Sequence, residues 1–227
     1  MLAAESLAKT FTLHQRGSAE LAVFRGLDLQ VAAGECVALA GGSGCGKSSL
    51  LRCLYGNYAP TAGAVRVRHG GAWVELSAAA PRTVLEVRRH TLGYVSQFLR
   101  AIPRVAALDV VAEPLRRLGV PVGEARARAG HWLARLNVPE RLWALPPATF
   151  SGGEQQRVNI ARGLIAAQPI VLLDEPTAAL DAENRRIVVA LIRALRERGG
   201  AIVGIFHDDE VRRALATREL DVARFHA

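Results

Sequence analysis

Short apolar runs alternate with longer amphipathic segments along most of this chain. The runs "GECVALA", "TLGYVSQ", "PIVLLDEP" and "AIVGIFH" have the length and apolar content of buried strands. The segments "KSSLLRCLYG" and "ENRRIVVALIRALRERGG" have helical periodicity and end near Gly56 and Gly199, since glycine is favoured just after a helix. Strands that alternate with helices predict an α/β fold with a parallel sheet and right-handed crossovers.

Two parts of the chain depart from this alternation. Residues 1–31 alternate apolar and polar positions around the turn signal "HQRGSAE", and "AVRVRHGGAWVEL" is typical of strand, turn and strand. From about Leu99 to Thr149 the pattern is helical and rich in arginine. We therefore expect a single domain over all 227 residues. It would combine an N-terminal antiparallel β subdomain, a core of residues 1–97 and 151–227, and an inserted α-helical subdomain at 98–150.

Composition limits the classes of protein that remain. The apolar runs are shorter than the ~20 residues that span a bilayer. The start "MLAAESLAKTF" lacks the basic residues and the long apolar stretch of a signal peptide. We therefore expect a cytoplasmic protein. Cys36, Cys45 and Cys53 form no CxxC pair, which favours reduced packing thiols, although Cys45 could be a point of oxidative or alkylative inhibition.

The charge of the chain favours a protein partner over nucleic acid. Lys+Arg total 29 and Asp+Glu 21, so the net charge is +8. The arginines are scattered and aromatic residues make up only 5%, so no basic stripe with interleaved aromatics is present. A solvated surface or docking onto an acidic partner fits this pattern better. The basic residues are almost all arginine, which makes Lys47 informative.

Residues 41–49, "GGSGCGKSS", fit the phosphate-binding pattern G-x-x-x-x-G-K-[ST], after a strand and at the start of a helix. Glycine lets successive backbone N–H groups turn toward an anion. Lys47 would bring a compact charge to the β- and γ-phosphates, where arginine's planar fork would fit poorly, and Ser48 would offer its hydroxyl to Mg²⁺. A glycine-rich surface turn is the alternative. The predicted nucleotide-binding residues here are Gly41, Gly42, Ser43, Gly44, Cys45, Gly46, Lys47, Ser48 and Ser49.

A carboxylate pair follows the buried run "IVLL". Asp174 would emerge at the carboxyl end of its strand, where ligands bind in open α/β sheets, and could hold Mg²⁺ directly or through water. Glu175 could orient and polarise an attacking water. The alternative is a helix cap or surface ion pair, which would leave the phosphate loop without a carboxylate for the metal.

The segment "FSGGEQQRVNIAR", Phe150 to Arg162, resembles the signature motif of ATP-binding cassette (ABC) ATPases. The order of motifs also resembles this family: the glycine-rich loop, "YVSQ", the signature, "LLDEP", "AALD" and "GIFHDD". The resemblance covers nearly the whole chain and implies an ATPase with a RecA-like parallel core that uses ATP and Mg²⁺.

The resemblance also implies roles for single residues. Glu175 would be the general base, His207 would contact the γ-phosphate, and Gln97 would contact Mg²⁺ or the attacking water. Phe11 lies where the family places an aromatic that stacks on adenine, with a core phenylalanine as the open alternative. The implied metal-binding residues are Ser48, Gln97 and Asp174.

A second copy of the cassette would complete the site. Ser151, Gly152 and Gly153, with Glu154 beside them, would contact the γ-phosphate of ATP held by the other subunit, and the N-terminus of the following helix would point at it. Asp181 would lie at that dimer interface. Glu154 stands where many family members have glutamine. Because a cassette alone cannot move anything across a membrane, a partner must do the useful work.

Several segments narrow the resemblance further. "LYGNYAPTAG", "VRHGGAWVEL", "SQFLRAIPRV" and "PERLWALPPATF" resemble the L subunit of the bacterial phosphonate carbon–phosphorus lyase system. This implies a homodimer-forming cassette that serves a soluble lyase core complex in alkylphosphonate utilisation. Trp73, Trp132 and Trp143 could contact that partner, or they could be packing residues.

Other classes of function remain open. The first alternative is the nucleotide-binding subunit of a membrane transporter of the lipoprotein-release or export type. A nucleotide-gated scaffold without turnover is disfavoured by the intact Lys47, Asp174, Glu175 and His207. A nucleic-acid ATPase is disfavoured because such proteins usually carry a coiled coil or two cassettes in one chain.

Overall fold

A computed structural model of the chain describes residues 1–13, 19–99 and 103–226. Its strands are β1 (Leu2–Leu13), β2 (Ala19–Val31), β3 (Cys36–Ala40), β4 (Ala62–His69), β5 (Ala72–Glu75), β6 (Leu92–Val95), β7 (Ile170–Asp174), β8 (Ala201–Ile205) and β9 (Arg218–Asp221). Its α-helices are α1 (Lys47–Leu54), α2 (Pro81–His90), α3 (Ala107–Arg117), α4 (Val122–Arg135), α5 (Gly152–Leu164), α6 (Ala182–Glu197) and α7 (Asp209–Leu215). Single turns of 3₁₀-helix occupy Glu140–Leu142, Pro147–Thr149 and Val222–Phe225.

A parallel sheet forms the centre of the molecule. Its strands lie in the order β6-β7-β8-β3-β9, and every neighbouring pair is parallel. All residues of β7 and β8 are buried, as expected for strands covered on both faces. The carboxyl ends of β3, β6, β7 and β8 therefore meet at one edge of the sheet. The predicted α/β fold is confirmed.

A second, antiparallel sheet has the order β2-β1-β4-β5. β1 pairs with β2 from Leu2 opposite Val31 to Leu13 opposite Ala19, so the predicted N-terminal hairpin is present. The centre of its turn, residues 14–18, lies outside the described residues. β4 and β5 form the predicted strand, turn and strand around "HGG".

Two hydrophobic clusters hold these layers together. One joins the antiparallel sheet, α1 and one face of the parallel sheet, with Phe24, Leu27 and Leu50 among its fully buried side chains. The other joins α3, α4, α5 and α6 to the other face, through residues such as Leu133 and Ile160. α5 follows the predicted helical segment and shares a core with it. The division at residues 98 and 150 stays a prediction.

The predicted helices begin and end close to the expected residues. α1 is followed by Gly56 and α6 by Gly199, and both glycines have positive φ. Three elements were not predicted: α2, α7 and β9. Within the described residues, none of the helices combines the length and the apolar character needed to cross a bilayer.

Candidate nucleotide site

The loop between β3 and α1 has the backbone of an anion-binding cradle. Gly41, Gly44 and Gly46 have φ of 124°, 83° and 98°, which lie in the left-handed region that side chains disfavour. A Cβ at Gly41 would lie 2.7 Å from Cys45 Sγ, and one at Gly46 would overlap Val23 on β2. Only glycine fits these two positions. The loop then enters α1, whose N-terminus adds a partial positive charge.

Lys47 points back over this loop. Its Nζ donates to the carbonyl oxygens of Gly41 at 2.7 Å and Gly42 at 2.8 Å. The ammonium group is therefore held above the concave side of the loop, where a phosphate on the backbone N–H groups would meet it. The predicted pairing of glycine-rich backbone with one lysine is present in the geometry.

Ser48 and Asp174 meet at the carboxyl edge of the sheet. Ser48 Oγ donates to Asp174 Oδ1 at 3.2 Å, and Tyr94 Oη donates to Asp174 Oδ2 at 3.0 Å. Hydroxyl and carboxylate oxygens are the ligands that Mg²⁺ takes in proteins, so this pair fits the ion. Burial raises the pKa of Asp174 above its ordinary value, and the hydrogen bonds from Tyr94 and Ser48 oppose that rise.

Sequence reasoning did not single out Tyr94. It lies on β6, opposite Leu172 of β7 and three residues before Gln97. A polar-tipped aromatic in a short apolar strand was the available signal.

Glu175 lies between the two other predicted catalytic residues. Its Oε1 is 2.7 Å from His207 Nε2, and its Oε2 accepts from Gln97 Nε2 at 3.1 Å. The backbone of Glu175 has a φ of 51°, an uncommon value for a residue with a side chain. Its N–H donates to Ile205 O on β8 at 3.2 Å, which fixes the turn after β7. The carboxylate is thus oriented from both sides.

The signature segment begins α5, and its residues Ser151 and Gly152 are exposed to solvent. Ser151 is the N-cap of α5, and its hydroxyl accepts from Glu154 N, while Glu154 Oε2 accepts from Ser151 N at 2.9 Å and from Ser151 Oγ at 2.7 Å. These hydrogen bonds hold the pKa of Glu154 below its ordinary value. A Cβ at Gly152 would meet nothing within 4 Å, whereas one at Gly153 would be 3.0 Å from Ala179 O of the same chain.

The structure separates the roles of these two glycines. Gly152 leaves the helix end open for an approaching group, as the prediction requires. Gly153 allows close packing within the chain, which the sequence did not indicate. Asp181 is exposed and caps α6 by accepting from Asn184 N at 2.8 Å, which lowers its pKa.

Phe11 lies on β1 and is half-buried. Its ring packs edge-on against Tyr58 with the centroids 5.3 Å apart, and Lys9 Nζ lies 4.6 Å from its centroid. Phe11 pairs with Leu21 on β2. Val23, two residues further along β2, lies against Gly46 of the phosphate loop. Phe11 thus lies on a strand that pairs with the one packed against the phosphate loop, and both predicted roles, stacking on adenine and packing, stay open.

Comparisons with known proteins agree with this geometry. The family model described as ABC transporter matches residues 24–178, more than half of the chain. The chain belongs to the ABC transporter family. It is 43% identical over 193 residues to the lipoprotein-releasing system ATP-binding protein LolD of Maricaulis maris, covering 85% of this chain and 82% of that protein. This family match and the cassette structures below identify the chain as an ATP-binding cassette with ATPase activity.

Longer relatives share the cassette as one part. The macrolide export ATP-binding/permease protein MacB of Salmonella typhimurium is 36% identical over 208 residues, which cover 92% of this chain but 31% of that protein. The chain thus spans about a third of the length of these exporters.

Solved structures share the whole fold. The dimeric post-hydrolysis state of the ATP-binding cassette MJ0796 bound to ADP and Pi has a TM-score of 0.88 and 30% identity, and it covers 98% of this chain and 95% of that chain. This match confirms the predicted cassette fold.

Proposed function

We propose that this chain is the ATP-hydrolysing subunit of an export-type transporter, in which two cassettes close on ATP and a membrane permease does the work. The observation that carries the enzymatic part is Glu175, held between His207 and Gln97 beside the phosphate loop. The permease is proposed because the relatives are named for lipoprotein release and macrolide export.

Binding of the nucleotide falls to residues 41–49. The backbone N–H groups of the loop would hold the phosphates, and Lys47 would exchange its two loop carbonyls for phosphate oxygens. Ser48 and Asp174 would hold Mg²⁺, which when bound neutralises charge on the phosphate oxygens. Phe11 would contact the base.

Glu175 is proposed as the group that takes a proton from the attacking water. Such a base must hold its carboxylate in one orientation within hydrogen-bond reach of the water. His207 and Gln97 each bond a different oxygen of that carboxylate. The two hydrogen bonds can therefore set the orientation of the Glu175 carboxylate. When a nucleotide binds, one of them can break and leave a carboxylate oxygen free.

The second cassette would supply the remaining contacts. Ser151 and Gly152 are exposed at the start of α5, on a helix end suited to an anion. If Lys47 and Ser48 bind the ATP of their own chain, Ser151 and Gly152 are left to contact the ATP held by the other chain. The MJ0796 cassette is dimeric with ADP and Pi, which supports pairing of two copies around nucleotide.

A cavity of about 640 Å³ between α2, α3 and α5 offers a docking place for the partner. Gln168 Oε1 is buried at its wall and has no donor among the described residues. Four arginines and two glutamates line the cavity, so its excess positive charge favours an acidic segment of the partner. This Gln168 oxygen favours a segment that also offers an N–H donor. The charged residues that line the cavity are Arg88, Arg89, Arg117, Arg162, Glu86 and Glu113.

A soluble phosphonate carbon–phosphorus lyase complex is the second candidate partner. Its support is the resemblance of segments around Trp73 and Gln97 to the L subunit of that system. Within these segments Trp73 is 49% exposed and Phe98 is 72% exposed, so both side chains are available to a partner. The names of the relatives favour the permease instead.

A capture experiment distinguishes the two partners. Tagged Glu175→Gln protein with Mg-ATP is used to bind partners from phosphate-starved cells of its own source, and these are identified by mass spectrometry. An Arg89→Glu/Arg117→Glu variant of the same protein is the matched control for docking in the cavity.

Each outcome decides between the candidates. We expect a permease in the bound fraction, lost in the double-arginine variant. Subunits of a phosphonate lyase complex would overturn the transporter proposal and support the second candidate. Retention of the partner by the arginine variant would move the docking place to another surface.

A further inference from the structure

Asp174 receives one hydrogen bond on each carboxylate oxygen. Ser48 donates to Oδ1 at 3.2 Å and Tyr94 donates to Oδ2 at 3.0 Å. Asp174 is only 2% exposed, so water cannot readily replace either donor. Two donors on opposite oxygens fix the plane of the carboxylate. Ser48 is itself one of the proposed metal ligands. Tyr94 is therefore the donor to Asp174 that would lie outside the set of metal ligands.

The ring of Tyr94 is held by its strand and by the packing of Tyr55. β6 pairs with β7, so Tyr94 lies one strand away from Asp174. Its ring stacks on Tyr55, which follows α1, with the centroids 5.0 Å apart and the planes at 26°. Arg88 of α2 covers the Tyr55 ring at 4.5 Å and donates from Nε to Tyr55 O at 3.0 Å. Such packing restricts the ring and hence the direction of its O–H.

A phenylalanine would fill the same space but would leave Asp174 Oδ2 without this donor. Outer partners of this kind orient the groups that bind a metal, and their loss weakens metal binding. Leu92 and Val95 of the same strand are apolar and fully buried, so packing of β6 alone does not require a hydroxyl at position 94. The hydroxyl is therefore the informative part of Tyr94.

We propose that Tyr94 is a positioning residue that holds the Asp174 carboxylate in the orientation that binds Mg²⁺. The proposal rests on the assignment of Asp174 as a metal ligand, which is part of the proposed function. In this role Tyr94 would act through its hydrogen bond to Asp174 and would not itself bind the metal.

The test compares Tyr94→Phe with Tyr55→Phe. Both changes remove one hydroxyl from the same stacked pair, and only the first removes a donor to Asp174. Binding of Mn²⁺ to the complex of the protein with ADP is measured by electron paramagnetic resonance. ADP binding in EDTA is measured by calorimetry. Asp174→Asn is included in both measurements.

Tyr94→Phe should weaken Mn²⁺ binding about five- to tenfold and leave metal-free ADP binding within about twofold. Tyr55→Phe should change neither value. Unchanged Mn²⁺ affinity in Tyr94→Phe, or an equal loss of ADP binding in EDTA, would overturn the proposal and leave Tyr94 a packing residue.

Asp174→Asn separates this failure from a failure of the proposed function. It should weaken Mn²⁺ binding more than Tyr94→Phe does. If Asp174→Asn binds Mn²⁺ as well as the unchanged protein, the metal assignment itself is wrong, and the role proposed for Tyr94 falls with it.

Discussion

The negative charge of Glu154 disfavours the phosphate contact proposed for Ser151 and Gly152. Its carboxylate lies in the first turn of α5 and holds both the N–H and the hydroxyl of Ser151. This arrangement stabilises the free helix, because an acid near a helix N-terminus interacts favourably with the dipole. It also places negative charge where the phosphate of a second subunit's ATP would approach. The proposed closure on ATP would therefore have to overcome this repulsion and free the Ser151 hydroxyl.

Glu154→Gln should strengthen the nucleotide-driven dimer. Glutamine can keep the reciprocal cap with Ser151 but removes the charge. In the Glu175→Gln background, we expect at least a severalfold lower dimer dissociation constant with Mg-ATP, measured by sedimentation. An unchanged or weaker dimer would mean that Glu154 does not face the phosphate.

Glu154 also gives a pH dependence to stability. Its folded pKa is lowered by the bonds from Ser151, so its stabilisation is present above the ordinary glutamate pKa and is lost as the pH falls through the lowered value. The difference in unfolding free energy between the unchanged protein and Glu154→Gln should shrink over this acid range, followed by urea unfolding. A constant difference across the range would contradict the capping assignment.

Phe11→Ala distinguishes the two roles left open for that ring. Loss of a stacking contact should weaken ATP binding by about 1 kcal/mol and leave tripolyphosphate binding unchanged. Calorimetry with both ligands measures the difference. An equal loss for tripolyphosphate would assign Phe11 to packing with Tyr58.

At the scale of elements, the approach of α5 to β6 holds the loop of Gln97 beside the signature helix. A methyl group at Gly163 of α5 would overlap Val95 on β6, and Val95 is fully buried. Asn159 of α5 also donates to Ser96 O at 2.6 Å, next to Gln97. A change in α5 can therefore displace the segment that carries Gln97.

Gly163→Ala should destabilise the protein by about 1–3 kcal/mol, although alanine favours helix. Gly123→Ala in α4 is the matched control, because nothing lies within 4 Å of a Cβ there. Urea unfolding of the nucleotide-free protein measures both. Equal stability of the two variants would show that α5 and β6 can move apart without cost.

The sequence predicted the elements that carry motifs better than those that do not. β3, β7 and β8 are continuous apolar runs, so their burial could be inferred directly. α2 has a single buried residue, Val87, and β9 is the charged edge strand "RELD", so neither contains an apolar run like those of β3, β7 and β8. Tyr94 was missed because its partner Asp174 lies on the neighbouring strand, and pairing of distant strands cannot be inferred from local pattern.

At the scale of the whole molecule, one chain holds the two proposed half-sites on separate elements. The phosphate loop, Asp174 and Glu175 lie at the carboxyl edge of the parallel sheet, and Ser151 and Gly152 are exposed at the start of α5. In the proposed function, a complete site therefore requires two chains. In the proposed transporter, the free energy of closing on ATP would be what the two cassettes transmit to the permease.

The most direct test is the mass of Glu175→Gln in solution with saturating Mg-ATP, measured by sedimentation velocity. We predict a dimer that holds one ATP per chain. Adding Lys47→Ala to the same protein should return it to a monomer, because nucleotide binding is lost. A Glu175→Gln protein that binds ATP and stays monomeric would contradict the shared site.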